Sequence, residues 1–256
     1  TAGSFSQFPE PTGLAATRDV ELVQKFGDIA RQEYLAVGIR LALHPMADLA
    51  TEPRWARSNG TFGEDAELSA VMTAAYIRGF QGATLGKDSV ACMTKHFPGA
   101  GPQMNGEDAH FVFGREQVYP GDNFDYHLKP FEAAFKAGTA QIMPYYGMPV
   151  GTPLEEVGFG FNKGVITDLL RGKYGFDGVV CTDWGLLTSM RLFGRDVMPA
   201  RAWGVEHLSL AERAQKIIDA GVDQFGGEAC PEVIIQLVRE GKVSEARIDQ
   251  SVRRLL

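Results

Sequence analysis

The chain has 256 residues, 45% hydrophobic and 22% charged, with a formal net charge of −7. That is an ordinary globular composition, and its acidic balance argues against a nucleic-acid partner or an anionic membrane, which favour basic faces. The three cysteines, Cys92, Cys181 and Cys230, form no CxxC pair and read as small buried hydrophobes, not a disulfide framework.

In chain order, residues 19–37 carry apolar residues at helical spacing behind an Asp and end near Gly38. Residues 39–43 are a short apolar run closed by His44-Pro45, which predicts a strand and a loop. A second helix is expected over 65–82. A strand over 90–94 then leads into Lys95-His96-Phe97-Pro98-Gly99. Residues 99–125 are rich in Gly and Pro and long for a connection, a length usually tied to function or disorder. A helix over 126–137 precedes a strand at 140–143 and the loop Pro144-Tyr145-Tyr146-Gly147. Residues 162–174 predict a helix, 179–182 a strand, 208–220 a helix and 222–225 a strand. Two helices close the chain, over 231–240 and from Ser244 onward, with Ser244 as N-cap.

Five short apolar strands, each followed by a helix, imply parallel strands covered on both faces. The first strand is not followed by GxGxxG, which disfavours dinucleotide binding. Gly82-Ala-Thr-Leu-Gly86-Lys87 falls one residue short of a phosphate loop. The pattern fits an incomplete (β/α)8 TIM-barrel-like domain, a fold that needs about 250 residues. No run approaches the ~18 apolar residues of a membrane helix, and no charged-then-apolar leader opens the chain. The opening Thr1-Ala-Gly-Ser4 lacks Met, and Val252-Arg-Arg-Leu-Leu256 stops inside an apparent helix. The expectation is a piece of a longer protein or a processed form.

In such barrels the chemistry sits at the C-terminal strand ends. Those ends supply His44 and Asp48, then Lys95 and His96, then Tyr145 and Tyr146, then Asp183 and Trp184, then Glu228. Asp183, at a rigid strand end, suits a carboxylate nucleophile. Trp184 offers an apolar face to the C–H face of a sugar. Lys95, His96 and Arg57 offer donors to hydroxyl groups. The combination reads as a carbohydrate site. A metal held by His96, His110 and Asp108 is the weaker reading, since no HExxH is present. Neither metal nor cofactor is expected.

Five ordered motifs turn this reading into a resemblance. Pro11-Thr-Gly-Leu-Ala-Ala-Thr17, Pro53-Arg-Trp-Ala-Arg57, Thr61-Phe-Gly-Glu-Asp65, Lys95-His-Phe-Pro-Gly99 and Thr182-Asp-Trp184 resemble glycoside hydrolase family 3, and within it the bacterial β-glucosidases. Ala56 departs from the family's usual Gly. The resemblance implies a retaining mechanism with Asp183 as nucleophile. It implies Arg57, Lys95 and His96 on the sugar hydroxyls of subsite −1, and Trp184 lining the sugar pocket. A tyrosine packs near the nucleophile, Tyr145 by preference and Tyr146 as the alternative. A second carboxyl about 5 Å away would act as acid/base.

In most of the family that carboxyl is a Glu from a following α/β sandwich domain. The chain therefore resembles a family 3 barrel domain over residues 1–256 that lacks its first βα segment and the sandwich. Within the chain, Asp108-Ala-His110 resembles the Asp-Ser-His loop of the family's N-acetylglucosaminidase branch, where the His is the acid. The implied substrates are oligosaccharides or aryl and alkyl β-glucosides, and a homo-oligomer or a complementary segment would cover the open flank. The compartment stays open between the cytoplasm and secretion from a bacterium. Three alternatives also stay open: a barrel that binds sugar without turnover, an N-acetylglucosaminidase-type hydrolase, and a Schiff-base aldolase using Lys95.

Overall fold

The computed structural model describes residues 5–193 and 195–256. They form two compact units, one of Thr1–Pro102 with Tyr119–Ile142, the other of Gln103–Val118 with Met143–Leu256.

The first unit opens with α1 (Pro11–Ala16) and α2 (Val20–Ala36), the latter capped by Asp19, whose carboxylate accepts from the Leu22 amide. Strand β1 (Leu41–Ala42) pairs in parallel with β2 (Ala91–Phe97), in register Leu41 to Ala91. Between them runs α3 (Ala66–Gln81), capped by Asp65. Its buried face carries Met72, Ala75, Tyr76, Ile77 and Phe80 into a core shared with Leu14, Val23, Phe62, Val90 and Cys92. Helices α2 and α3 cross at Gly27 and Gly79, where a Cβ on Gly79 would collide with the Gln24 carbonyl and come within 2.8 Å of the Gly27 Cα. Only glycine lets the backbones approach that closely.

Between Asp48 and Asp65, the Pro53–Arg57 motif runs into a short 3-10 turn, Ser58–Gly60. The loop after β2 leads on to β3 (Glu116–Gln117) and then α4 (Phe124–Lys136), which carries Pro130 inside it. Strand β4 (Gln141–Pro144) straddles the boundary of the two units.

In the second unit β3 pairs in parallel with β5 (Met148–Pro149). Residues Gly164–Lys173 form a π-helical segment where a helix is expected. Strand β6 (Val179–Trp184) pairs in parallel with β9 (Gln224–Gly226). An antiparallel hairpin, β7 (Met190–Leu192) with β8 (Arg195–Met198), follows β6. Helices α5 (Leu210–Ala220), α6 (Pro231–Arg239) and α7 (Glu245–Leu255) complete the unit. Ser244 caps α7 as expected, accepting from the Arg247 amide.

One buried acid ties the N-terminal ends of β6 and β9 to α7. The Asp223 side chain is wholly buried; it accepts from Arg171 (2.6 Å), Ser251 (2.7 Å), Arg254 (3.0 Å) and the Val180 amide (3.0 Å).

All five expected strands are present, and the α/β class with parallel strands and intervening helices is borne out. The boundaries differ in one respect that matters. β2 runs through Lys95, His96 and Phe97, and β6 through Asp183 and Trp184, so these side chains stand on the strands and not in the loops after them. The polar character of the residues hid this, because the strand expectation followed apolar runs alone. The connection over 99–125 is not structureless; it folds into two short 3-10 turns and β3.

Candidate active site

Each unit builds its own polar cluster on these strands. In the first, Asp48 is fully buried and organises the end of β2. Its Oδ1 accepts from the backbone amides of His96 (3.0 Å) and Ala100 (2.7 Å), and its Oδ2 lies 2.8 Å from His96 Nδ1. Burial alone would raise the Asp48 pKa; the charge of His96 and these hydrogen bonds outweigh it and hold the carboxyl below the usual range. With Nδ1 facing a carboxylate, the other ring nitrogen, Nε2, faces the Arg57 guanidinium at 3.2 Å. Two of the expected sugar-binding residues, Arg57 and His96, therefore touch. Lys95 is their neighbour on β2, half-buried, with its backbone bonded to Pro45 and Ala47.

His44 behaves differently. Its ring is held between the hydroxyls of Tyr34 (3.1 Å) and Tyr76 (2.8 Å), and burial, with Lys95 nearby, lowers its pKa to about 3. It is a neutral core group.

In the second unit the centre is Asp183, only 8% exposed at the end of β6. The Tyr146 hydroxyl donates to Asp183 Oδ1 at 2.8 Å, and the Trp184 amide donates to the same oxygen at 2.8 Å. The Tyr146 oxygen also lies 2.7 Å from the Trp184 carbonyl, which accepts from Arg201 at 3.0 Å. Arg201 stacks over the Tyr146 ring at 5.1 Å. Burial first, and then the Asp183 charge, push the Tyr146 pKa well above the usual tyrosine value, so the hydroxyl stays a donor. Tyr145, the preferred residue on the sequence, is fully buried beside it, with ring centroids 5.9 Å apart. It is the Tyr146 hydroxyl that donates to the carboxylate.

Trp184 is 40% exposed. Its indole lies over Gly226 and Gly227, at the end of β9. A Cβ on Gly227 would overlap the indole ring, and one on Gly226 would meet the Thr182 carbonyl.

His110 packs its ring on Tyr146 at 4.7 Å, and its Nδ1 is hydrogen-bonded to Asp108. Glu228 binds the loop after β6, accepting from the amides of Leu187 (2.9 Å) and Thr188 (2.7 Å), so it serves the backbone. Cys181, behind Asp183, has its thiol pushed up to about 12 by burial and by that carboxylate. All three cysteines are free.

Arg201 lies in none of the sequence motifs. The only signal for it is an Arg and a Trp at 201 and 203 just after an exposed hairpin. A cavity of about 620 Å³ in the first unit, lined by Arg31, Arg78 and Lys87 among others, contains none of these site residues. Among the described residues no group of three or more His, Cys, Asp or Glu side chains is placed to hold a metal. No described helix is long and apolar enough to cross a membrane.

The family model for the glycosyl hydrolase family 3 N terminal domain matches residues 1–256. The chain belongs to this family. It is 62% identical over 256 residues to β-glucosidase C of Emericella nidulans, a match that covers all of this chain and 41% of that protein. It is 46% identical over 271 residues to the periplasmic β-glucosidase/β-xylosidase of Dickeya chrysanthemi, again covering 41% of the relative. The β-glucosidase of Listeria innocua, solved with isofagomine, superposes with a TM-score of 0.81 at 27% identity, over 98% of this chain and 33% of that one. The family 3 chain thus spans about two fifths of the length of the curated relatives it matches. The sequence motifs pointed to the bacterial branch, whereas the relative at 62% identity is fungal.

Proposed function

We propose that this chain carries the nucleophile of a retaining β-glycosidase of the β-glucosidase type. The substrates are oligosaccharides and aryl or alkyl β-glucosides with a terminal non-reducing β-D-glucosyl residue. The observation that supports this most is the convergence of the Tyr146 hydroxyl and the Trp184 amide on one oxygen of Asp183. Two donors on one oxygen hold a carboxylate in a fixed plane, the preorganisation a nucleophile needs.

In the double displacement, an Asp183 oxygen attacks the anomeric carbon as the bond to the leaving oxygen breaks and that oxygen takes a proton. Water then displaces the carboxylate from the glycosyl-enzyme, giving up a proton to the same acid/base. Arg57, Lys95 and His96 are assigned to the sugar hydroxyls and Trp184 to its apolar face, with Tyr146 in place of Tyr145 as the tyrosine at the nucleophile.

Asp183→Asn in the full-length protein is expected to abolish hydrolysis with the fold intact. An activated fluorosugar should label Asp183, found by mass in the digested protein, because a leaving group of low pKa needs little acid help. Labelling of Asp108 or Glu228 with Asp183 unmodified, and activity in Asp183→Asn, would overturn the assignment.

A specific feature supports an acid/base inside the chain. Asp108 binds Nδ1 of His110, and Nε2 of the same ring meets no hydrogen-bond partner among the described residues. A carboxylate that holds one ring nitrogen fixes the orientation of the ring and leaves the other nitrogen to exchange a proton with a bound group. His110→Ala should then slow poor leaving groups far more than a dinitrophenolate. Equal rates on both would move the acid/base elsewhere.

A further inference from the structure

Arg201 is buried, and among the described residues no carboxylate bonds to it. Its three side-chain nitrogens donate instead to the His110 carbonyl (Nε, 3.3 Å), the Trp184 carbonyl (Nη1, 3.0 Å) and the Met198 thioether (Nη2, 3.5 Å). Burying a guanidinium on neutral acceptors is costly, and an apolar side chain of similar volume would avoid that cost.

The contacts of this cation surround Asp183. The Arg201 backbone amide donates to the Gly185 carbonyl (2.8 Å) while its side chain holds the Trp184 carbonyl, so one residue grips two successive peptides directly after the acid. The amide of the same Trp184 donates to Asp183 Oδ1. Gly185 makes room for this grip: its φ is +74°, and a Cβ there would come within 2.8 Å of Nη1. The guanidinium also lies over the Tyr146 ring, whose hydroxyl is the second donor to Oδ1. Its bond to His110 adds a third segment, since the His110 ring packs on Tyr146 as well.

We propose that Arg201 is a positioning residue for Asp183, acting through Trp184 and Tyr146. It fixes the peptide and the ring that carry the two donors, and so holds the carboxylate in the plane from which it attacks. The inference rests on the β-glycosidase reading of Asp183. Its consequence is specific. Losing Arg201 slows attack by Asp183 and leaves sugar affinity alone, because the sugar hydroxyls are assigned to Arg57, Lys95 and His96.

Labelling of Asp183 by an activated 2-deoxy-2-fluoro-β-glucoside reads that attack directly, and its saturation separates affinity from rate. In the full-length protein, Arg201→Ala is expected to lower the saturating labelling rate roughly 10- to 100-fold, with half-saturation within about twofold of wild type. Guanidinium chloride at millimolar concentration, far below denaturing levels, should restore the rate severalfold by refilling the vacated space. It should not restore Arg201→Met, whose side chain fills that space without a charge. Arg201→Lys should label faster than Arg201→Met, a comparison that stands even if Arg201→Ala fails to fold. A labelling rate in Arg201→Ala within about twofold of wild type would overturn the proposal. So would equal rates in the Lys and Met variants, or a loss that appears only in half-saturation. A loss that guanidinium leaves unchanged, with a lowered urea midpoint, would make Arg201 a stabilising residue only and overturn it too. A wild-type protein that takes no label on Asp183 would instead overturn the glycosidase reading beneath it.

Discussion

Tyr146→Phe isolates one hydrogen bond at Asp183, the proposed nucleophile. The variant keeps the ring, and with it the packing against His110 and Arg201. It loses only the hydroxyl, which lies 2.8 Å from Asp183 Oδ1 and 2.7 Å from the Trp184 carbonyl. That carbonyl keeps Arg201 at 3.0 Å, so the loss falls on Asp183, which retains the Trp184 amide on the same oxygen. A hydrogen bond to a charged group is worth about 1.5–3 kcal/mol. If the bond matters fully in the first transition state, kcat/KM for an aryl β-glucoside falls roughly 10- to 150-fold. The wild-type hydroxyl has its pKa raised by burial and by Asp183, so it does not ionise in the working range and the ratio of wild type to variant should be flat from pH 5 to 9. The assay is steady-state kinetics across that range, with urea unfolding to show that the fold persists. A variant that keeps more than half of wild-type kcat/KM would refute the claim that Tyr146 prepares the nucleophile.

Two further outcomes concern stability. Asp223→Asn leaves Arg171 and Arg254 without their buried anion, and breaking such a pair costs about 3–5 kcal/mol, read by denaturant unfolding; a loss under 1 kcal/mol would mean that the arginines find other partners. His44 is neutral when folded, with a pKa of about 3, and in the unfolded chain titrates near 6.5. The unfolded state binds more protons, so the His44 contribution is fully present above pH 6.5 and is lost as pH falls towards 3, about 2 kcal/mol of it by pH 5. Urea unfolding at pH 8 and pH 5 measures this, and His44→Asn should have the shallower pH dependence; an unchanged slope would assign the acid sensitivity to other groups.

Much of the fold was legible because its strands are short apolar runs and its helices carry their own stop and start signals. Asp19, Asp65 and Ser244 all cap the helices they precede. The site was legible in part. Asp183, Lys95 and His96 follow apolar runs directly, so their place at strand ends could be read from order alone. The choice between Tyr145 and Tyr146 could not, because adjacent residues on an extended chain point to opposite sides and the register of β4 is set by pairing that no local pattern encodes. Arg201 and the Asp48–His96 link were hidden for a related reason. Each depends on contacts between residues far apart in sequence, such as the 48 positions separating Asp48 from His96. The β7–β8 hairpin and the short pair β3–β5 lack the length to leave a periodic trace.

The indole of Trp184 rests on two glycines that arrive more than forty positions later, at the end of β9. Gly227 also has a φ of +69°, which other residues adopt only under strain. The shape of the Trp184 side of the site is thus written twice, once on β6 and once on β9. For anyone recombining family members, the practical unit of exchange is therefore not the loop after β6 alone. A graft that brings a new Asp-Trp strand without its matching glycines, or bulkier residues at 226 and 227 without a smaller ring at 184, would evict the indole and reshape the surface beside Asp183 with every motif still in the sequence.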